Sequence, residues 1–477
     1  YKRQELQVVV QGYILKTCEM KDLIPLSKKY FDIIALFSRE PFVKLITKEL
    51  EYYTDGSNLI GFICLDLIDN NYSAGILSRD KSMQYRAVKV NVDMQTITEA
   101  REWIKKSFNE DNIIQHDNHS DYFDLFKDLN NEKTIHPHYK LLKESDFYSS
   151  AKEVIKEISY HYKDIDGNFI DQFQSLNGFD SRIFELYLFC FFREQSFSFK
   201  RDFEAPDFIV NKMDNEIAIE AVTISRKPEN IKNITDYTPK SPDEINSELE
   251  NNVPLMFGSA IYDKVKKKYW EKKHVQNKPF LIAIADFHDT MSMTWSFNSL
   301  VEYLYGYKYN AYKHSETGEL VINPEKIDFF QKSNGTQIPA GFLLDEANKN
   351  ISAIIFSSTA TLSKFNRIGR QAGMGNGNSL LVREMTIYNH DENADKPDVV
   401  VYSVDENANE TWSEGVVIYH NPHALYPLDP TLFNDSVAQC FFDVESKLVR
   451  SFMPKIFPYS SHTINMKPTD SLKENEK

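Results

Sequence analysis

Hydrophobic and polar positions along residues 1–110 follow patterns that predict a small α/β unit. Apolar runs at residues 59–66 and 73–77 flank a short polar segment, which is typical of two strands joined by a hairpin turn. Residues 84–92 alternate more cleanly and predict a third strand. Residues 96–108 carry apolar side chains at helical spacing behind a threonine, which predicts a capped amphipathic helix.

A second patterned region lies between about residues 170 and 290 and predicts the order helix, three strands, helix, strand. The predicted elements are a helix at 180–194, strands at 197–201, 207–210 and 216–224, a helix at 256–273 and a strand at 279–285. Residues 183–192 are apolar or aromatic except Glu185, so we expect the first helix to be buried all round. The charged segment 225–254 is expected to be a surface loop or lid.

The rest of the chain completes the prediction of a mixed α/β (α+β) fold. The expected divisions are an N-terminal domain at 1–110, a polar linker at 111–145, a core at 146–300, a C-terminal extension at 301–465 and a disordered tail at 466–477. Strand-like runs at 351–356, 382–388 and 399–402 are expected to extend the sheet of the core. The linker histidines are interpreted as solvated loop residues because no metal-ligand spacing surrounds them. They are His116, His119, His136 and His138.

The composition of the chain indicates which partners and which cellular compartment to expect. The net charge is −15, so any contact with nucleic acid must come from local basic patches. The four cysteines are scattered in apolar surroundings, which predicts buried thiols in a reducing compartment. No apolar run approaches the roughly 18 residues that span a bilayer, and the first residues do not resemble a signal peptide. We therefore expect a soluble, cytoplasmic protein without a membrane partner.

Two carboxylates are predicted to meet on the sheet of the core. Asp207 follows Pro206 at the start of one strand, and Glu220 lies thirteen positions later, across a hairpin. Antiparallel pairing places such residues side by side. Two carboxylates at such a short distance repel each other unless they share a divalent cation. Mg²⁺ or Mn²⁺ is therefore the predicted cofactor. A buried Glu185 is either paired with Arg182, one helical turn earlier, or part of the same site.

These residues and their order resemble the PD-(D/E)xK, or restriction-endonuclease-like, nuclease superfamily over roughly residues 170–290. Pro206-Asp207 matches the first half of the motif and Glu220-Ala221-Val222 the second. The resemblance implies a restriction-endonuclease-like core in which Asp207 and Glu220 bind the metal and Glu185 is a third ligand or a water-mediated partner. Val222 stands where the family has its lysine, so either the lysine has moved or the site is inactive.

The helix predicted at 256–273 offers a replacement for that lysine. We assign Lys264 to the catalytic position and Lys266 and Lys267 to phosphate contacts. A solvated helix face is the alternative for each lysine. Lys364, Arg367 and Arg370 form a second basic segment among hydroxyls and glycines and are assigned to DNA-backbone contacts, with a plain flexible loop as the alternative.

The predicted function is that of a metal-dependent endonuclease, a hydrolase that acts on DNA. Resemblance to standalone nucleases of this type implies an effector of restriction or antiviral defence, with a partner protein of that system and self-association as further expectations. The alternative is a catalytically inactive nuclease-fold protein that binds DNA or a partner protein, which Val222 and the acidic charge both favour.

Overall fold

The computed structural model describes residues 22–110, 122–129, 135–200, 202–227, 231, 237–332 and 334–467. These residues belong to two compact units. The described part of the N-terminal unit comprises 22–26, 46–81 and 85–110, and the second unit comprises 27–45, 82–84 and the described residues from 122 onward. His116, His119, Cys18 and most of the predicted disordered tail lie outside the described residues.

The fold is a mixture of helices and strands, as the sequence predicts. The helices are α1 (Lys28–Ile34), α2 (Val43–Ile46), α3 (Ile97–Phe108), α4 (Pro137–Glu144), α5 (Ser149–Ser159), α6 (Phe169–Gln174), α7 (Phe179–Glu194), α8 (Pro242–Asn251), α9 (Val253–Val265), α10 (Phe297–Tyr305) and α11 (Leu362–Gln371). The strands are β1 (Ile24–Pro25), β2 (Thr47–Thr54), β3 (Ile60–Asp66), β4 (Tyr72–Arg79), β5 (Tyr85–Met94), β6 (Ser198–Phe199), β7 (Phe208–Lys212), β8 (Asn215–Ile224), β9 (Phe280–Asp286), β10 (Tyr307–Lys313), β11 (Leu320–Lys326), β12 (Phe329–Gln331), β13 (Gln337–Pro339), β14 (Ala353–Ser357), β15 (Leu380–Ile387), β16 (Asp398–Ser403), β17 (Val416–His420), β18 (Ala438–Phe442), β19 (Val449–Phe452) and β20 (Pro458–Met466).

The N-terminal unit is an antiparallel sheet in which β1 to β5 lie side by side in chain order. Helix α3 begins after Thr96, whose side chain accepts a hydrogen bond from the backbone N–H of Glu99, and it packs on this sheet. The packing is close at Gly61, where an added Cβ would lie 2.7 Å from Ile104. The strands predicted at 59–66, 73–77 and 84–92 are confirmed, and β2 is an additional strand.

The second unit is built on an eight-stranded mixed sheet with the order β19-β18-β17-β14-β9-β8-β7-β6. Strands β8, β9 and β14 are parallel neighbours, whereas β6, β7 and β8 form an antiparallel meander. Strands β8 and β9 are apolar along most of their length because helices cover the sheet. Helices α9 and α10 pack on one face, and α7 also packs against β8.

Helix α7 is buried along almost its whole length, as its apolar sequence predicts. Its Tyr187 hydroxyl donates to the carbonyl of Trp412 at 2.7 Å and accepts from the Ser357 hydroxyl at 3.0 Å. The polar tip of a fully buried tyrosine is therefore satisfied by two segments that lie far away in the sequence.

Three predicted elements differ from the observed ones. Strands β15 and β16 do not extend the core sheet, because β20 pairs along the length of β15 and forms a separate three-stranded sheet. The segment expected to be a loop or lid contains α8, which is capped by reciprocal hydrogen bonds between Ser241 and Glu244. The helix predicted to reach residue 273 ends at Val265, and Lys268 adopts a left-handed backbone conformation with φ of 46°.

The cysteines and the apolar character of the helices also bear on the predictions from sequence. Cys64, Cys190 and Cys440 are buried, as predicted. Among the helices of the described ranges, none combines the length and apolar character needed to cross a bilayer.

Candidate functional site

The structure brings Asp207 and Glu220 together on the β7–β8 hairpin. Phe208 pairs with Ile219, so the residue before Phe208 falls opposite the residue after Ile219. The Oδ2 atom of Asp207 accepts a hydrogen bond from the backbone N–H of Ala221 at 2.7 Å. The Asp207 carboxylate is therefore held against the part of β8 that carries Glu220.

The electrostatic environment of Asp207 is dominated by burial and by like charge. Burial raises the pKa of Asp207 well above its ordinary value, and the charges of Glu220 and Glu185 raise it further. Lys264 and the backbone N–H of Ala221 offset this effect only in part. Glu220 and Glu185 are therefore close enough to destabilise the ionised form of Asp207, which is the setting in which a bound cation would be stabilising.

Glu220 is satisfied by two donors from the helix α9 side of the sheet. The Nζ atom of Lys264 lies 2.6 Å from Oε1 of Glu220, and the hydroxyl of Tyr269 donates to the same oxygen at 2.9 Å. Glu220 is 3% exposed, whereas Val222 packs against the apolar core. Val222 stands where the PD-(D/E)xK motif would require a lysine, and its side chain is part of the core packing. Lys264 brings an ammonium group to Glu220 from α9 instead.

A tight turn after α9 fixes the rim of this site. Lys268 reverses the chain and turns Tyr269 inward, where burial and the charge of Glu220 raise the pKa of the phenol. Beyond the turn, Nε2 of His274 lies 2.8 Å from the carbonyl oxygen of Ala205, two residues before Asp207. Tyr269 was not predicted as a site residue, because an aromatic residue within a lysine run carries no signal of a distant carboxylate partner.

Glu185 is paired with Arg182, which is one of the two interpretations that its sequence context left open, and its role as a metal ligand stays a prediction. Arg182 donates from Nη1 to both carboxylate oxygens, at 3.0 and 2.9 Å, and the Tyr162 hydroxyl donates to Oε2 at 2.9 Å. At the same time the charge of Glu185 acts on Asp207. Arg182 engages both carboxylate oxygens of Glu185, whereas the hydrogen bonds of Lys264 and Tyr269 to Glu220 both go to Oε1. Asp207 and Glu220 are therefore the pair better placed to bind a cation.

Exposed lysines surround the turn that follows α9. They are Lys266, Lys267, Lys268, Lys272 and Lys273. Lys266 lies 3.3 Å from Asp263, and Lys268 lies 3.5 Å from Glu271, both as solvent-exposed pairs of little energetic weight. The two lysines assigned to phosphate contacts, Lys266 and Lys267, are therefore on the surface, close in the chain to Lys264.

The assignment of Lys364 and Arg367 to DNA-backbone contacts is wrong. Both side chains are buried, with exposed fractions of 0% and 1%, and they form ion pairs with Glu410. These residues lie on α11 rather than on a flexible loop, and their positively charged side chains are on the buried face of this helix. Arg370 is half-buried at the end of α11, and its role as a DNA contact stays a prediction.

A second cluster of metal-binding residue types lies near the start of α7. His136 and His138 are buried rather than solvated loop residues, and with Asp180 they have ligand atoms within 4.8 Å of one another. Burial lowers the pKa of His136 to about 3, and burial raises the pKa of Asp180 to about 6 despite the nearby Arg226. By spacing alone these three side chains could hold a metal ion. This proximity could not be predicted from the sequence, because Asp180 lies over forty residues from the histidines.

Comparisons with known proteins add no family assignment: no protein-family model, curated protein or solved structure matches this chain. Its function is therefore inferred from its own residues.

Proposed function

We propose that the protein is a divalent-metal-dependent nuclease of the PD-(D/E)xK type that hydrolyses DNA phosphodiester bonds. One observation carries the proposal: Asp207 and Glu220 meet on a β-hairpin, with the Nζ atom of Lys264 2.6 Å from Glu220. Two carboxylates and a lysine are the residue types that this chemistry uses, and here they come from three separate segments of the chain.

The donor set suits a hard divalent cation. Mg²⁺ and Mn²⁺ prefer oxygen ligands, and Mg²⁺ keeps several of its waters when it is bound by one or two carboxylates. When all three are ionised, Glu185, Asp207 and Glu220 contribute three negative charges against the two positive charges of Arg182 and Lys264. Burial and this excess negative charge raise the pKa of Asp207, and an added cation would stabilise its ionised form. When bound, such an ion would activate a water molecule and stabilise negative charge on the phosphate.

The residues of the chain have distinct roles in this proposal. Asp207 and Glu220 hold the cation, and the Tyr269 hydroxyl keeps the Glu220 carboxylate oriented. If a cation took its place beside Glu220, Lys264 would be available to contact a phosphate oxygen. The exposed lysines at 266–268 and 272–273 bind the DNA backbone and supply local attraction against the net charge of −15.

A plasmid-degradation assay in Mg²⁺ or Mn²⁺ tests the proposal. We expect Asp207→Asn and Glu220→Gln each to lower the cleavage rate at least about a hundredfold, because the cation supplies several kcal/mol of transition-state stabilisation. Asp214→Asn is the matched control, since Asp214 is exposed in the turn of the same hairpin. Equal cleavage by the wild type and all three variants would contradict the assignment.

A second candidate function is that of an inactive nuclease-fold protein that binds DNA or a partner protein. The observation that favours it is the doubly occupied Oε1 atom of Glu220, which Lys264 and Tyr269 satisfy without a metal ion. Calorimetry with Mn²⁺ in the presence of DNA separates the two functions. Uptake that is lost in Asp207→Asn supports the nuclease, whereas DNA binding without such uptake supports the inactive protein.

The setting of the proposed nuclease follows from the resemblance alone. Standalone nucleases of this type act in restriction and antiviral defence, so we place the protein in a cytoplasmic defence system with a partner protein. Deleting and restoring the gene in its own host, then measuring phage plating, tests this setting. An unchanged plating efficiency would contradict it.

A further inference from the structure

A cavity separate from the Asp207 site lies at the carboxyl ends of the parallel strands. Its volume is about 210 Å³, and its lining includes Arg226, Asp286 and Ser358, which lie at or just beyond the ends of β8, β9 and β14. In sheets with parallel strands, ligands characteristically bind at this edge. An apolar cavity of roughly 150 Å³ is large enough for benzene, so this one has room for a substituted ring.

Two hydrogen-bond donors that belong to lining residues have no acceptor among the described residues. His138 accepts at Nδ1 from Nη1 of Arg226 at 3.3 Å, because a guanidinium group can only donate. The neutral imidazole of His138 must then carry its proton on Nε2, and this atom is buried without a partner. The Nε atom of Arg226 is likewise buried and unpartnered within the described ranges.

One hydrogen-bond acceptor of a lining residue, Asp286, also has an atom without a partner in the described ranges. Asp286 is 1% exposed, and its Oδ1 atom accepts from the backbone N–H of His288 at 3.1 Å and lies 2.6 Å from the ring Nδ1 of the same residue. Its Oδ2 atom has no hydrogen-bond partner in the described chain. Buried polar atoms without partners are costly, so a ligand that satisfies them gains affinity.

The remaining lining defines the body of the ligand. Phe179, Ile183, Phe287, Met293 and Leu362 supply apolar and aromatic surface. Arg226 directs Nη1 at His138 and, at 3.7 Å, at Asp180, so its unpartnered Nε atom is a single donor. The unpartnered atoms of the lining residues are therefore separate single donors and a single acceptor. A carboxylate or phosphate is typically held by paired donors, so the pattern suits a flat neutral ring with separate donor and acceptor atoms.

A metal ion fits this geometry poorly, although His136, His138 and Asp180 are close together. His136 accepts at Nδ1 from the backbone N–H of His138 at 3.1 Å, so its Nε2 also carries the proton. Metal ligation requires an unprotonated nitrogen. Both histidines present N–H groups instead, and the guanidinium of Arg226 adds a positive charge beside them.

We propose that this cavity binds a nucleobase or nucleoside, with His138 Nε2 and Arg226 Nε donating to its ring or carbonyl acceptors and Asp286 Oδ2 accepting from its N–H group. The aromatic and aliphatic side chains of the lining contact the faces of the ring. The site does not depend on the nuclease assignment, because none of its residues holds the proposed cation.

Isothermal titration calorimetry with adenosine, guanosine, cytidine, uridine and their free bases tests the proposal, without divalent ions. We expect one base and its nucleoside to bind at one site per chain. Asp286→Asn should weaken that binding about tenfold or more, because a hydrogen bond to a charged acceptor is lost. Met291→Trp, which fills the cavity from its half-exposed rim, should abolish binding while leaving the thermal melting transition in place. Asp214→Asn is the exposed control and should bind as the wild type does.

Three results would overturn the proposal. The first is no binding of any probe at millimolar concentration. The second is wild-type affinity in both Asp286→Asn and Met291→Trp. The third is binding of Zn²⁺ that is lost in Asp180→Asn, which would make the cluster a metal site instead.

Discussion

Replacing Glu410 by glutamine should destabilise the second unit, because Glu410 is at the centre of a buried charge cluster. Lys364, Arg367 and Arg383 surround Glu410 and Glu414, and of these five side chains only Glu414 exceeds 1% exposure. The Nε atom of Arg367 and the Nη1 atom of Arg383 each lie 2.9 Å from Glu410. Three cations are thus balanced by two carboxylates, away from water.

The size of the effect follows from the loss of one of those carboxylates. In Glu410→Gln, three buried cations remain with Glu414 alone. Removing one partner of a buried ion pair typically costs roughly 3–5 kcal/mol, because the remaining charge is left uncompensated. Glutamine has nearly the same shape as glutamate, so the change in free energy of unfolding reports the charge rather than a cavity.

Urea unfolding followed by tryptophan fluorescence measures this loss. Three of the four tryptophans, Trp270, Trp295 and Trp412, lie in the second unit and report its transition. Glu406→Gln is the matched control, since Glu406 is exposed four residues away and should change the stability by no more than about 0.5 kcal/mol. A loss below about 1 kcal/mol in Glu410→Gln would refute the reasoning that the cluster depends on this charge.

The same cluster predicts the direction of a pH dependence. Burial alone would raise the pKa of Glu410, but Arg367, Lys364 and Arg383 together hold it well below its ordinary value. A carboxyl group whose folded pKa is lowered stabilises the fold above its unfolded pKa of about 4.3 and loses that contribution as the pH falls through the folded pKa. The wild type should therefore lose more stability below about pH 4.3 than Glu410→Gln does in the same urea series.

Three further outcomes are expected. Gly369→Ala should lower the stability by about 1–3 kcal/mol in thermal melts, because the new Cβ would lie 2.5 Å from the carbonyl oxygen of Ser150 on α5; a neutral effect would mean that the two helices separate readily. Ser241→Ala should cost about 1 kcal/mol of local stability in α8, measured by amide hydrogen exchange, since it removes the capping box with Glu244. The ring protons of His136 should not titrate between pH 8 and pH 5 in NMR spectra, because burial lowers its pKa to about 3; a titration near pH 6.5 would contradict the buried placement.

The sequence was most informative where the interacting residues are close in the chain. Asp207 and Glu220 are joined by one hairpin, so alternation and turn position were enough to predict that they meet. The pairing of Arg182 with Glu185 follows from helical spacing in the same way. Lys264 lies early on the predicted helix, and its Nζ atom is 2.6 Å from Glu220, while its catalytic role stays a prediction.

The sequence was least informative where partners lie far away in the chain. Lys364 and Arg367 looked like surface cations because Glu410 and Glu414 follow more than forty residues later. Strand β15 could not be separated from the core sheet without its partner β20, which begins some seventy residues downstream. Local patterns give burial and spacing, but they do not show which distant segment neutralises a charge.

The contact between Lys264 and Glu220 has a consequence for how any ion would enter. The ammonium group is an internal counter-ion covalently attached to the chain, so it is present at a high effective concentration beside Glu220. A dissolved cation must displace it, and this competition weakens the intrinsic affinity of the carboxylates for free ions. A DNA phosphate that accepts the displaced ammonium would reduce that penalty, so ion and polyanion should each strengthen the binding of the other.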